Sequence, residues 1–283
     1  MPESDDQEDL MLRVDASMRA WRQGDCCLEQ QWFLHRFDPS KPITDAARQA
    51  LDDGVDIVEQ AFGGLVVLTQ TCDVVRSCSS RPFEEVAPLI EVDEDHLRQI
   101  ERGRRPGYAF VPGVADHRLV ADLDRVMTVE KPVVAAWTRV PGCSTDDEVR
   151  RFAWALARKR SRFAYPDDFT RFAGKLHDRL KKKHDKDSDE GRALAGLDEI
   201  RVQASPSWSA EQVELMFWFI RGPGDLEFES ETWPGLLERW LGLVPDAGRF
   251  GPVYGQICSL DDLSATDLRC SDLLDLDRLS LAD

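Results

Sequence analysis

The stretch TDDEVRRFAWALARKRSRFAYPDDFTRFAGKLHDRLKKK (145–183) decides how the rest of the sequence is read. It holds two amphipathic helices. Thr145 and Glu148 have capping-box spacing, and Val149, Phe152, Leu156 and Phe163 then fall on one side at helical periodicity. Arg151, Arg158 and Arg162 fall on the other side. Ala164-Tyr165-Pro166 breaks the chain, and Asp167 is the expected N-cap of the second helix. There Phe169, Phe172, Leu176 and Leu180 share a face, with Arg171, Lys175 and Lys182 opposite. From Arg150 to Lys186 the chain carries thirteen lysines and arginines against four aspartates. That local excess of nine positive charges sits in a protein of net charge −17, so the remainder stands at −26.

Outward from this basic pair, both flanks read mainly as strands. Upstream are GDCCLEQQWFLHRF (24–37), VDIVEQAF (55–62), LVVLTQTCDVV (65–75) and FEEVAPLIEV (83–92), with shorter strands at 107–112 and 117–123. Thr44 and Gly54 bracket a short helix, and a charged helix is expected near 93–103. Downstream, a helix near 188–197 leads to EIRVQA (199–204) and then to VELMFWFI (213–220), apolar enough for a buried central strand. Pro234 sits in the first turn of a helix bearing Leu236, Leu237, Trp240 and Leu241, and a further strand is expected near 252–259.

The fold class that follows is α+β. A β-rich, barrel-like part is expected over 16–140 after a disordered acidic tail (1–15). A basic helical hairpin is expected over 141–197, and an α/β part with an acidic C-terminal tail (198–283) completes one core.

Composition narrows the function classes. No apolar run approaches the roughly 20 residues of a membrane span, and the acidic N-terminus is unlike a signal peptide, so no membrane partner and a cytoplasmic location are expected. The seven cysteines (26, 27, 72, 78, 143, 258 and 270) are odd in number and lack metal-ligand spacing; free thiols are expected, with no metal site and no cofactor. Asp225, Glu227 and Glu229 alternate as on a strand, where a solvated edge is commoner than a Mg²⁺ site.

Two places could carry function. In the first, Thr69, Gln70, Thr71, Cys72 and Asp73 interrupt an apolar strand. Cys72 has the chemistry of a nucleophile and Asp73 that of an orienting carboxylate, with His35, His96 and His117 as candidate bases. The bland reading is a strand end whose Asp caps a turn and whose Cys is buried.

The second place is the basic helix pair. Arg151, Arg158, Arg162, Arg171, Lys175 and Lys182 suit phosphate contacts, with Tyr165 available for stacking, or else an acidic protein surface. The alternative is a solvated face neutralised by the acidic remainder, the seven aspartates of 259–283 included.

Gly24-Asp25 opening a strand, the β-branched run from Val66 to Asp73 and Val86-Ala87-Pro88-Leu89 together resemble the MazF/PemK-type small barrel over residues 20–95. Many members of that family cut RNA. This chain has Gly63-Gly64 where the family has Arg-Pro, and Ile90 where it has Thr or Ser, so the resemblance implies barrel topology rather than RNase activity. The Thr-Gln-x-Cys-Asp run also resembles strands of uncharacterised bacterial proteins. Arg179 and His184 have the R-x4-H spacing of HEPN ribonucleases but stand about 140° apart around a helix.

The functional expectation is an accessory binding protein that contacts nucleic acid or an acidic partner through the basic helices, in a bacterial stress or defence setting. A toxin-like nuclease with its site at Thr69–Asp73 is the first alternative. A structural subunit, marked by an exposed apolar patch, is the second.

Overall fold

The computed structural model describes residues 3–53, 56–103, 105–161, 163–184 and 186–274. The fold is α+β, and the chain divides into two compact units, Met1–Ser161 and Arg162–Asp283. The boundary falls between the two basic helices, inside the expected 141–197 part.

The first unit opens with helix α1 (Glu3–Met18), where a disordered tail was expected. Val14 and Met18 are buried, and they anchor the acidic segment by its C-terminal half. Strands β1 (Cys26–Cys27) and β2 (Gln31–Arg36) follow. Helix α2 (Asp45–Gln49) is capped by the Thr44 side chain, which accepts from the Ala47 N–H. Then come β3 (Ile57–Phe62), β4 (Leu65–Val67), a single helical turn α3 (Thr71–Val74) and β5 (Phe83–Glu91). Helix α4 (Glu94–Glu101), β6 (Tyr108–Phe110), β7 (Leu119–Asp122), β8 (Met127–Glu130), α5 (Lys131–Ala135) and α6 (Asp146–Arg160) complete the unit. The capping box of α6 forms as its spacing requires, Thr145 accepting from the Glu148 N–H and Glu148 reaching back.

Six strands make one sheet in the order β1-β4-β5-β7-β6, with β8 also pairing β5, while β2 and β3 pair as a separate hairpin. The sheet is not closed, which corrects the barrel-like expectation. Its middle is covered on both faces, and this is why LVV in β4 reads as a continuous apolar run. Phe152 of α6 packs with Cys26, Val66, Ala87 and Leu89, whereas Met18 and Trp21 pack with Val67, Val74 and Val134. Gly64 permits the close crossing at β1, since a side chain there would meet the Cys27 carbonyl oxygen at 2.4 Å.

The second unit begins with α7 (Asp167–Lys183), followed by α8 (Asp189–Ala195), β9 (Leu197–Ser205), β10 (Val213–Arg221), α9 (Trp233–Leu241), β11 (Phe250–Ser259), α10 (Ala265–Cys270) and β12 (Asp272–Leu273). Pro166, not Asp167, occupies the N-cap of α7. The strand order is β11-β10-β9-β12, with β10 central as its apolar sequence requires; it runs parallel to β11 and antiparallel to β9. Alternate residues Val213, Leu215, Phe217 and Phe219 point into one core with Phe169, Leu176 and Leu180 of α7 and Trp240 of α9. The acidic C-terminal segment is ordered through Leu274, with β12 laid on the outer edge of β9. Residues 275–283, and the aspartates at 275, 277 and 283, lie outside the described residues. Asp225–Glu229 is irregular rather than a strand.

The segment 184–191, polar enough to read as a solvated turn, instead supplies two buried carboxylates at the start of α8. Asp189 accepts from the backbone N–H groups of Glu229, Ser230 and Glu231, and from Arg192. These bonds hold its carboxyl well below the usual range. Glu190 accepts two hydrogen bonds from Arg179 (2.9 and 2.6 Å) and one from the Trp240 indole (3.1 Å). Burial works to raise the Glu190 carboxyl, but those donors outweigh it and the group is lowered. Groups lowered on folding contribute stability above their unfolded pKa, and it is lost as pH falls through the folded value. Glu190→Ala leaves a half-buried guanidinium and a buried indole N–H without their acceptor. It should cost about 2 kcal/mol in urea denaturation followed by tryptophan fluorescence. An unchanged midpoint would mean that water already satisfies those donors.

Candidate functional site

The two sequence-level candidates fold in different ways. After β4 the chain leaves the sheet at Leu68, so Thr69–Asp73 is not a strand end but a loop entering α3. Each polar side chain there has a local task. Thr69 Oγ1 accepts from the Glu85 N–H at 2.7 Å, and Thr71 Oγ1 accepts from the Gln23 N–H at 3.1 Å. Gln23 in turn donates to the Leu68 carbonyl at 2.7 Å. Cys72 is exposed rather than buried, its thiol facing Gln70 Oε1 at 3.7 Å. Asp73 is half-exposed and faces Arg76 and Arg81 at 3.5 and 4.0 Å.

The histidines considered as bases stand on other elements. His35 lies in β2 beside Phe33, His96 pairs with Asp93 in α4, and His117 ends the 3-10 turn Pro112–His117. None hydrogen-bonds Cys72 or Asp73 among the described residues. The arrangement holds a thiol and a carboxylate without the adjacent base that would activate them.

Beneath this loop lies a feature that the sequence reading missed. Lys131 is wholly buried, and its ammonium donates to the carbonyls of Asp73, Val74 and Arg76 at 3.0, 3.0 and 2.6 Å. These carbonyls belong to the last residues of α3 and the turn that follows it. Glu84, also wholly buried, approaches the same ammonium at 3.5 Å. The signal was present in the pleat: Glu84 shares a face of β5 with buried Val86, whereas Glu85 points the other way and meets Arg160 at 2.6 Å. Gly24-Asp25 is likewise structural. Gly24 has φ +91°, and buried Asp25 accepts from the Arg22 N–H and from Arg139.

The basic residues divide by helix. Among the described residues, every cation on α6 is engaged. Arg150 and Arg151 pair with Asp146 and Asp147 one turn back, at 3.6 and 2.9 Å. Lys159 pairs with Asp124, Arg160 with Glu85, and Arg158 donates to the Gly103 carbonyl. Arg162 lies outside the described residues.

On α7 the pattern is the opposite. Phe169, Ala173, Leu176 and Leu180 face the core, and Arg179 at the flank is held by Glu190. Arg171, Lys175 and Lys182 lie within an arc of about 40° on the far side. All three are exposed, and none has an ion pair among the described residues. Lys181 and Lys183 in the last turn, and Lys186 beyond it, also lack one; the helix macrodipole favours cations there. Tyr165, considered for stacking, is instead packed among Phe163, Phe169 and Trp208, its hydroxyl donating to the Asp272 carbonyl. The HEPN-like pair is also dissolved, because Arg179 is taken by Glu190.

A search of protein-family models, curated proteins and solved structures finds no match to this chain. Among the described residues no cluster of His, Cys, Asp and Glu is placed to hold a metal ion, and no helix is long and apolar enough to cross a membrane. The function therefore has to be read from α7 and α6 themselves.

The buried pair generates a pH test. Burial pushes the Glu84 carboxyl above the usual glutamate range, against the pull of Thr69 and Lys131. The folded state then binds the proton more readily than the unfolded chain. The stability gained by protonation is complete below the unfolded value and lost as pH rises through the folded one. Between neutrality and about pH 4.5, acidification should favour the parent protein more than Glu84→Gln in matched denaturation curves. Parallel curves would contradict the assignment.

Proposed function

We propose that this protein is a binding protein that docks on nucleic acid through the solvent face of α7. The observation that carries the reading is the stripe Arg171, Lys175 and Lys182, extended by Lys181 and Lys186. It is exposed and, among the described residues, without an ion pair, in a chain of net charge −17. Such a molecule repels phosphates over most of its surface and admits them at one place. Lysine-rich point charges on flexible stems suit backbone phosphates and impart little sequence preference. The cations of α6 contribute less to the long-range field, because carboxylates or carbonyls already accompany them.

Binding to labelled single- and double-stranded oligonucleotides across a salt series tests this. Removing one cation that neutralises a phosphate should flatten the plot of log affinity against log salt by about 0.7–0.9. The combined variant Arg171→Glu, Lys175→Glu, Lys182→Glu should therefore lower the slope by about two to three units. Arg160→Gln, whose cation serves Glu85, should leave the slope unchanged. Affinity for polyglutamate with none for either nucleic acid would replace nucleic acid by an acidic protein surface.

A structural-subunit reading draws support from a separate observation. The outer face of the β2–β3 hairpin exposes Trp32, Leu34 and Ile57, at 53%, 43% and 44% of their surface. Self-association in sedimentation, abolished by Trp32→Ser, would favour that role.

A further inference from the structure

We propose that the outward face of α6 is a stacking platform for an unpaired base, which makes the nucleic acid ligand single-stranded. The inference rests on the reading of α7 as a polyanion-binding helix and adds the chemistry that distinguishes one kind of strand from another. At 100° per residue, Phe152 points into the core of the first unit and Trp154 lies about 160° away, near the centre of the solvent arc. Trp154 is 65% exposed. A large aromatic ring in the middle of a helix's wet face loses the burial that normally justifies tryptophan.

Its neighbours on the same arc define the occupant. Arg150 and Arg151 precede it by four and three residues, so two exposed guanidinium groups border the indole on its N-terminal side, whereas Arg158, four residues on, is held by the Gly103 carbonyl. Ala157 is the other near neighbour. No ring stacks on Trp154 and no cation sits over it among the described residues, unlike Trp21, Trp208, Trp233 and Trp240, which all have aromatic partners. An apolar protein partner would need a contiguous apolar patch, but here one ring is bordered by positive charge. A nucleotide has the matching pattern, a flat π-face with phosphate at its edge.

The existing pairs of Arg150 and Arg151 do not obstruct this. Their side chains and those of Asp146 and Asp147 are all more than 65% exposed. Exposed pairs of that kind add little stability, so a phosphate can displace a carboxylate at small cost. Duplexes keep their bases stacked inside and can offer this face only phosphates. Every base of a single strand has a free π-face.

The test compares full-length protein with Trp154→Ala and Trp154→Phe, using a fluorescein-labelled oligothymidylate, a duplex of equal length, and heparin. Trp154 is exposed and alanine is a good helix former, so unchanged circular dichroism is expected for both variants. Trp154→Ala should weaken oligothymidylate binding about five- to a hundred-fold, the range of base–aromatic stacking, and leave duplex and heparin binding within about two-fold. Trp154→Phe should retain part of the single-strand affinity. Equal oligothymidylate affinity in parent and Trp154→Ala would overturn the proposal, as would an equal weakening on all three ligands. If the α7 variant changes polyanion binding while Trp154→Ala changes nothing, the platform is refuted and the α7 reading stands. If the parent binds none of the three, both fall.

Discussion

The rotation of α7 about its own axis is the constraint on which the functional surface depends. A helix can bury one face, and Phe169, Ala173, Leu176 and Leu180 fix which face that is. The Arg179–Glu190 pair, backed by the Trp240 indole, locks the flank and allows little slippage around the axis. Once that angle is set, Arg171, Lys175 and Lys182 have nowhere to go but water. None of the three has an ion pair among the described residues, although the exposed Asp167 and Asp178 stand on the same side of the helix. Their exposure is a consequence of the core.

On α6 the same physics gives a different result. Phe152 sets the rotation, but the helix starts with three acidic residues that favour its N-terminus, and the first two sit one turn from Arg150 and Arg151. Its C-terminal cations reach carboxylates and a carbonyl contributed by other elements of the first unit. Two helices with similar charge counts therefore present unlike surfaces. One offers free lysines and an arginine; the other offers a tryptophan bordered by exchangeable arginines. Among the described residues, the wholly buried Glu84–Lys131 pair and the half-buried Glu190–Arg179 pair hold loops and helices in place.

Much of this was legible in the sequence where local pattern and tertiary demand agree. The capping box at Thr145, the helical faces of α6 and α7 and the place of Pro234 follow from spacing, except that Phe163 lies past the end of α6, and the central position of β10 follows from its apolar run. The errors have physical reasons. The first fifteen residues looked too polar to fold, yet Val14 and Met18 suffice to dock α1 by one end. LVVLTQTCDVV looked like one strand because its apolar pieces are short, and periodicity over so few residues does not separate a strand from a strand followed by a helical turn. The polar run 184–191 looked solvated, because a carboxylate that will cap backbone N–H groups or pair with a distant arginine looks, in sequence, like any surface carboxylate. A Pro-containing break between amphipathic helices gives no sign that a unit boundary crosses it. Trp154 was passed over because a tryptophan inside a helical apolar pattern is normally core.

Footprinting of lysine amines by brief acylation and mass spectrometry, with and without a bound oligonucleotide, tests the central claim most directly. The account predicts that Lys175, Lys181 and Lys182 react fast in the free protein and are protected in the complex, while Lys159, already held by Asp124, reacts slowly in both. Slow labelling of the α7 lysines in the free protein, or protection that falls on lysines elsewhere in the chain, would contradict it.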